Sequence, residues 1–115
     1  MVSRSGREVG RPQMQVGDEV LDKLVRETTV EIRNAAGLHM RPAMLFVDIA
    51  SRFESDITVS SGPATADGKS IMQMSVLAAT CGTRLDIRAE GPDAEQALEA
   101  LRELVEVRMF DEPPP

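Results

Sequence analysis

His39 is the only histidine in the 115-residue chain, and it lies in the segment GLHMRPA, Gly37 to Ala43. The segment joins a predicted strand to a predicted helix, whose first N–H groups have no acceptor within the helix and carry partial positive charge. These groups and the charge of Arg41 together form an anion site. The positive field favours the neutral, nucleophilic form of the His39 ring and would also stabilise a phosphoryl dianion attached to it. The segment therefore predicts phosphorylation of His39.

Other chemistries fit the sequence around this histidine less well. A purely structural histidine, which caps the helix or satisfies a turn, is the commonest alternative at such a junction. A metal site lacks neighbouring ligands, and a hydrolase triad lacks a partnered nucleophile. The segment GPATADGKS, Gly62 to Ser70, resembles a P-loop, but its first glycine is one residue too far from the Lys-Ser pair and Pro63 removes a loop N–H. We expect neither a metal nor an organic cofactor on this chain.

The composition restricts the function further. Hydrophobic residues make up 42% of the chain, enough for one buried core. Residues 27–115 carry eight basic and fifteen acidic groups, and the chain contains neither Trp nor Tyr, which disfavours nucleic acid binding. Cys81 is the only cysteine, so it cannot form an intramolecular disulfide, and we expect it to be a small buried hydrophobe. Because the sequence contains neither a membrane-spanning run nor a secretory signal, we expect a cytoplasmic protein without direct membrane insertion.

The hydrophobic pattern predicts the element order β-α-β-β-α-β-α. Strands are predicted at 28–34, 56–61, 64–66 and 84–90, and helices at 40–53, at 71–80 and from 93 onward. Ser70 is expected to cap the second helix, which Gly82 terminates, and Asp93 to cap the third in a capping box with Gln96. Each strand has one apolar face. The sequence therefore predicts an α+β fold in which helices cover one face of an antiparallel sheet.

The apolar spacing also predicts which helix residues are buried. The inward stripe of the first helix is predicted to be Ala43, Phe46, Val47, Ala50 and Phe53, and that of the last helix to be Ala97, Leu98, Leu101, Leu104 and Val105. Leu45 and Ile49 lie off the first stripe, so they would cover part of the N-terminal segment or bind a partner. Residues 1–26 are interpreted as a flexible N-terminal extension, in which 18–26 could form a short helix, residues 27–110 as one domain, and residues 111–115 as a frayed tail.

Two segments resemble a known family. GLHMRPA resembles the active-site signature of HPr, the histidine-containing phosphocarrier family of the phosphoenolpyruvate:sugar phosphotransferase system. GKSIM, Gly68 to Met72, resembles the regulatory serine segment of its kinase-controlled members. The resemblance covers residues 27–108. It implies an open-faced β-sandwich, in which a four-stranded antiparallel sheet is covered on one face by three helices.

The resemblance also implies a function. A phosphoryl group would pass from phospho-Enzyme I to Nδ1 of His39, and from there to an acceptor such as a sugar-specific Enzyme IIA protein. Arg41 matches the arginine that neutralises the phosphoryl group. Ser70 matches the serine modified by HPr kinase/phosphorylase, although helix capping also accounts for a serine there. The implied protein is a monomeric carrier, a substrate of enzymes rather than an enzyme, and an HPr-like regulatory module of a nitrogen- or carbon-control branch is the alternative.

Methionines cluster next to both segments. Met74 is expected to fill the core. An adaptable apolar surface, suited to several unrelated partners, could instead be formed by Met40, Met44, Ile71 and Met72.

Overall fold

Four strands and three helices make up residues 24–112, which are the residues that the computed structural model describes. The strands are β1 (Val25–Glu31), β2 (Asp56–Ser61), β3 (Ala64–Asp67) and β4 (Arg84–Glu90). The helices are α1 (Met40–Ala50), α2 (Ile71–Val76) and α3 (Ala94–Arg102). Helix α3 continues into a wider π-type turn, Glu103–Val107, and a 3-10 turn, Met109–Asp111.

The strands form one antiparallel sheet in the order β1-β4-β2-β3. Its register places Val30 opposite Leu85, and Ile87 opposite Val59, and all four side chains are buried. Their neighbours along the strands face the open side, as the period of two requires. The predicted architecture is confirmed: an open-faced sandwich in which the three helices cover one face of a four-stranded sheet.

The core lies between this covered face and the helices. The predicted stripe of the last helix is confirmed, because all five of its residues are buried, and Met74 is buried as well. The buried stripe predicted for α1 is partly wrong. Val47 only packs against the edge of the core, whereas Ile49, which was predicted to lie off the stripe, is 9% exposed. Phe53 follows the end of α1 and is half-buried.

The second helix is shorter than the pattern predicts. It ends at Val76, and Ala78 then adopts a left-handed φ of 50°. The following residues pair with the segment after β1, since Ile32 donates to the Thr83 carbonyl at 2.9 Å and accepts from the Gly82 N–H at 2.7 Å. Cys81 lies in this loop and is exposed, so the prediction of a buried cysteine is wrong.

Asp93 precedes α3 as predicted, but its side chain does not cap the helix. The carboxylate instead accepts hydrogen bonds from the N–H groups of Glu54 and Ser55 and from the Ser55 hydroxyl, at 2.9, 3.0 and 2.5 Å. Burial opposes ionisation of Asp93, but these hydrogen bonds outweigh it and lower the pKa. The predicted capping box is therefore replaced by a tie between the α1–β2 connection and the start of α3.

The ends of the folded part differ from the predicted boundaries. Val25 and Arg26 pair with Glu90 and Ala89, so β1 includes two residues that the pattern placed in the extension and its short helix. The rest of that extension and residues 113–115 lie outside the described residues. Asp111 is not frayed, because its carboxylate forms an ion pair with Arg108 at 2.7 Å and it ends the 3-10 turn. Glu112 is also held by contacts, which are described below.

Candidate functional site

The segment before His39 is fixed by a close approach between two loops. The Leu38 N–H donates to the Ala79 carbonyl at 2.8 Å. Gly37 has a φ of 77°, and a Cβ at this position would lie 2.6 Å from the same carbonyl oxygen and 3.0 Å from the Thr80 Cα. Only glycine combines this backbone conformation with this proximity. The loop contact therefore sets the direction in which the chain enters α1.

His39 is the N-cap residue of α1, in an extended conformation with φ −88° and ψ −168°. Its carbonyl accepts the first helical hydrogen bond, which Ala43 donates at 3.0 Å. The N–H groups of Met40 and Arg41 precede that bond and therefore have no acceptor within the helix. The His39 side chain is 43% exposed. The structure thus places an accessible imidazole at the positive end of a helix, as the sequence predicts.

A carboxylate that the sequence analysis did not foresee contacts this ring. Oε2 of Glu112 lies 2.9 Å from Nε2 of His39 and 3.4 Å from Nη1 of Arg41. Its other oxygen, Oε1, accepts a hydrogen bond of 2.8 Å from the side-chain amide of Asn34, which is fully buried. Burial opposes ionisation of Glu112. The Asn34 hydrogen bond and the positive charges of His39 and Arg41 outweigh it and lower the pKa of Glu112, so the carboxylate is ionised at neutral pH.

The chain returns to the site through an unusual turn after α3. Met109, Phe110 and Asp111 have left-handed φ values of 50°, 55° and 59°. The Phe110 side chain is fully buried, and its carbonyl accepts a hydrogen bond of 2.9 Å from Nη1 of Arg41. The buried ring fixes the turn, and the turn brings both this carbonyl and Glu112 to the start of α1.

Ser70 caps α2 as predicted, because its hydroxyl accepts the N–H of Gln73 at 3.3 Å. The P-loop alternative for the preceding segment is wrong, since Ala64–Asp67 is a strand paired with β2 rather than a phosphate-binding loop. Ile71, which follows Ser70, lines a shallow apolar depression with residues of α1.

The predicted methionine surface is only partly assembled around this depression. Met40, Met44 and Ile71 line it, together with Arg41, Leu45 and Val47. Met40 and Met44 are 55% and 56% exposed. Met72 is 76% exposed but does not line the depression. Leu45, which the pattern left without a buried role, packs against the edge of the core here.

Comparison with known proteins decides the family. Residues 26–107 match the family model described as "PTS HPr component phosphorylation site". The chain belongs to the HPr family. The phosphocarrier protein HPr of Treponema pallidum is 42% identical over 84 residues, which cover 73% of this chain and 96% of that protein. The HPr of Haemophilus influenzae is 49% identical over 76 residues, covering 66% and 89% of the two chains.

A solved HPr structure agrees with the sequence relationship. The crystal structure of HPr-C-His from Thermoanaerobacter tengcongensis superposes with a TM-score of 0.73 at 43% identity, and covers 76% of this chain and 98% of that one. The protein is thus a phosphocarrier of the phosphotransferase system, with phosphotransfer partners. Within residues 24–112, no helix has the length and apolar character needed to cross a membrane.

Proposed function

We propose that His39 accepts a phosphoryl group on Nδ1 from phospho-Enzyme I and passes it to an acceptor protein such as Enzyme IIA. The observation that carries this proposal is the position of the His39 ring, which is exposed at the N-cap of α1 and followed by two N–H groups that precede the first helical hydrogen bond. Dianions are stabilised at such an end by the N–H groups and the helix dipole. Arg41, whose guanidinium shares a carboxylate with His39, supplies the fixed positive charge.

Transfer from phospho-Enzyme I tests the acceptor residue directly. Incubation of the protein with Enzyme I and labelled phosphoenolpyruvate should give an acid-labile, base-stable label that is absent from His39→Ala. Absence of label on the unmodified protein would reject the carrier reaction, and label on the variant would reject His39 as its site.

The role proposed for Arg41 is tested by its removal. Arg41→Ala should lower the transfer rate roughly tenfold, since a charge-assisted hydrogen bond contributes about 1.5–3 kcal/mol and this site is partly exposed. Arg33→Ala is the matched control, because Arg33 is an exposed arginine after β1 whose guanidinium contacts the Glu106 carbonyl at 3.4 Å instead. Equal effects of the two substitutions would show that only the overall charge matters.

Ser70 is proposed as a regulatory phosphorylation site for HPr kinase/phosphorylase. A phosphate on this hydroxyl would replace the present cap with stronger acceptors at the same helix end. Ile71 next to it lines the same depression as Met40 and Arg41, so the added charge would lie close to the surface used for phosphotransfer. The regulation is therefore electrostatic, and it slows transfer to His39.

Incubation with HPr kinase and ATP tests this regulation. Label should be absent from Ser70→Ala and retained in Ser75→Ala, a hydroxyl of the same helix that donates to the Met72 carbonyl. The labelled protein should accept a phosphoryl group from Enzyme I more slowly than the unlabelled one. Label that survives Ser70→Ala, or an unchanged transfer rate, would contradict the proposal.

The apolar depression and the nearby Met72 are proposed as the docking surface that successive partners share. Exposed methionines adapt to differently shaped partners because their side chains are unbranched and flexible. Met44→Glu should raise the KM for Enzyme I about tenfold without changing the melting temperature. Val107→Glu, at a residue 70% exposed outside the depression, should leave KM unchanged and serves as the control.

The proposed protein is a cytoplasmic monomer that needs no cofactor and is not itself an enzyme. Sedimentation at micromolar concentration should give the mass of one chain. The rates of transfer from the phosphorylated protein to purified acceptors distinguish a role in sugar uptake from one in nitrogen or carbon control. The acceptor that is phosphorylated fastest identifies the branch.

A further inference from the structure

The contact between Glu112 and His39 bears on which ring nitrogen can react. A neutral imidazole carries one N–H, and the nitrogen without it holds the lone pair that attacks phosphorus. The hydrogen bond made by one nitrogen decides the state of the other. A group that holds the proton on Nε2 therefore makes Nδ1 the nucleophile.

Glu112 has the geometry for this task. Its two oxygens lie 2.9 and 3.3 Å from Nε2 of His39. An ionised carboxylate can only accept hydrogen bonds, so Nε2 must be the donor. Among the described residues, Nδ1 of His39 has no hydrogen-bond partner. We propose that Glu112 is a positioning residue, which keeps the proton of His39 on Nε2 and leaves the lone pair on Nδ1.

The carboxylate is itself held in place on the side away from the ring. The Asn34 amide donates to Oε1 of Glu112 and to the Gly37 carbonyl, both at 2.8 Å. Asn34 is fully buried, and the Glu112 side chain is only 15% exposed. The orientation is thus transmitted from the loop before α1 through an amide and a carboxylate to the ring, an arrangement that fixes a catalytic tautomer in other histidine sites.

The proposed arrangement also accounts for the charge that the reaction creates. The Nδ1 lone pair attacks the phosphorus of the donor's phosphoryl group. The bond between phosphorus and the donor atom breaks, and its electrons remain on the donor atom. The proton stays on Nε2, so the phosphorylated ring of His39 bears a positive charge next to the Glu112 carboxylate. No proton has to leave before transfer, and the charge that develops is compensated where it forms.

Nitrogen-15 NMR of the ring tests the proposal, and the single histidine makes the assignment unambiguous. At a pH where the ring is neutral, we expect the Nε2–H tautomer in the unmodified protein and a larger Nδ1–H fraction in Glu112→Ala. Glu112→Gln should give an intermediate Nδ1–H fraction, because its single amide oxygen can accept from Nε2 only when its NH2 group faces the Asn34 amide, which is also a donor. The control is Asp111→Asn, which removes a neighbouring carboxylate that pairs with Arg108.

The transfer rate from phospho-Enzyme I provides the second readout. Glu112→Ala should lower kcat roughly three- to tenfold with KM nearly unchanged, Glu112→Gln by less, and Asp111→Asn hardly at all. An Nδ1–H tautomer in the unmodified protein, an unchanged tautomer in Glu112→Ala, or an unchanged transfer rate in Glu112→Ala would each overturn the proposal. Faster transfer in Glu112→Ala would also overturn it, since the carboxylate would then occupy the place of the phosphoryl group.

The proposal rests on Nδ1 of His39 as the acceptor atom, and the two can fail separately. If the unmodified protein takes no label from Enzyme I, the acceptor assignment fails whatever the tautomer. If it takes label at the same rate as Glu112→Ala, only the role of Glu112 fails. Circular dichroism melts of each variant show whether the fold is intact, and Glu112→Gln remains as the test if Glu112→Ala is unstable.

Discussion

Replacing Gly37 by alanine tests how the entry of the chain into α1 is fixed. Gly37 combines a φ of 77° with a backbone neighbour so close that a Cβ would lie 2.6 Å from the Ala79 oxygen. That oxygen also accepts the Leu38 N–H. The added methyl group must therefore push the two loops apart, and the hydrogen bond next to His39 is the first contact to be lost.

The cost can be worked out in two parts. A left-handed backbone conformation costs an alanine about 1–2 kcal/mol, and loss of the Leu38–Ala79 hydrogen bond adds about 1 kcal/mol. Gly62, in the turn between β2 and β3, is a matched control, because its φ is 60° and no atom lies within 4 Å of a Cβ built there. Gly62→Ala carries the strain without the clash. Gly37→Ala should be the more destabilising substitution by at least about 1 kcal/mol.

Urea unfolding of both variants measures this difference, provided that the slope of free energy against urea is unchanged. The rate of phosphorylation by Enzyme I should fall in Gly37→Ala and stay unchanged in Gly62→Ala, because only the first variant displaces the residues before the ring. Equal destabilisation by the two substitutions would refute the argument, since glycine would then be needed at residue 37 for its φ alone.

Three further outcomes are expected. Asp93→Ala should lower the free energy of unfolding by about 2 kcal/mol, because it leaves the Ser55 N–H and hydroxyl without their acceptor. Folding lowers the pKa of Asp93 below its ordinary value of 3.8. In urea melts, the stabilisation by Asp93 should therefore be present in full above pH 3.8 and decrease as the pH falls below this value. NMR titration of the Asn34 side-chain amide should give a midpoint below 4.5, the ordinary pKa of Glu112, and Glu112→Gln should abolish that titration. Phe110→Ala should cost about 3–5 kcal/mol in urea melts, as for other buried aromatic residues, whereas a loss below 1 kcal/mol would contradict a packed ring.

The parts of the fold that the sequence predicts depend on short-range periodicity. Val30 and Leu85 alternate with polar neighbours because one face of the sheet is buried. The Ser70 cap spans three residues, so a local pattern contains it completely. At the margin of an apolar helix face, periodicity alone does not predict which residue is buried. Val47 and Ile49 lie on opposite margins of the same apolar face, and packing against the other helices decides which of them is buried.

The contacts that the sequence does not predict join distant positions. Asp93 resembles a local cap, yet its acceptor atoms serve residues 38 and 39 positions earlier in the chain. The contact between His39 and Glu112 spans 73 positions. It depends on three consecutive residues with left-handed φ values, and none of them is a glycine, the residue that usually marks this conformation in a sequence. The histidine and the arginine of the site were predictable because helix geometry brings neighbours together, whereas the carboxylate opposite them was not.

Where the chain returns to α1, the residue that stabilises the fold, Phe110, is followed closely by the residue that contacts the reactive ring, Glu112. A fragment that ends at residue 110, the boundary suggested by the hydrophobic pattern, would retain Phe110 and every helix and strand of the core. It would lack the carboxylate next to Nε2 of His39. Such a fragment should melt much like the longer chain and relay phosphate more slowly, so thermal stability alone is a poor guide to where this domain ends.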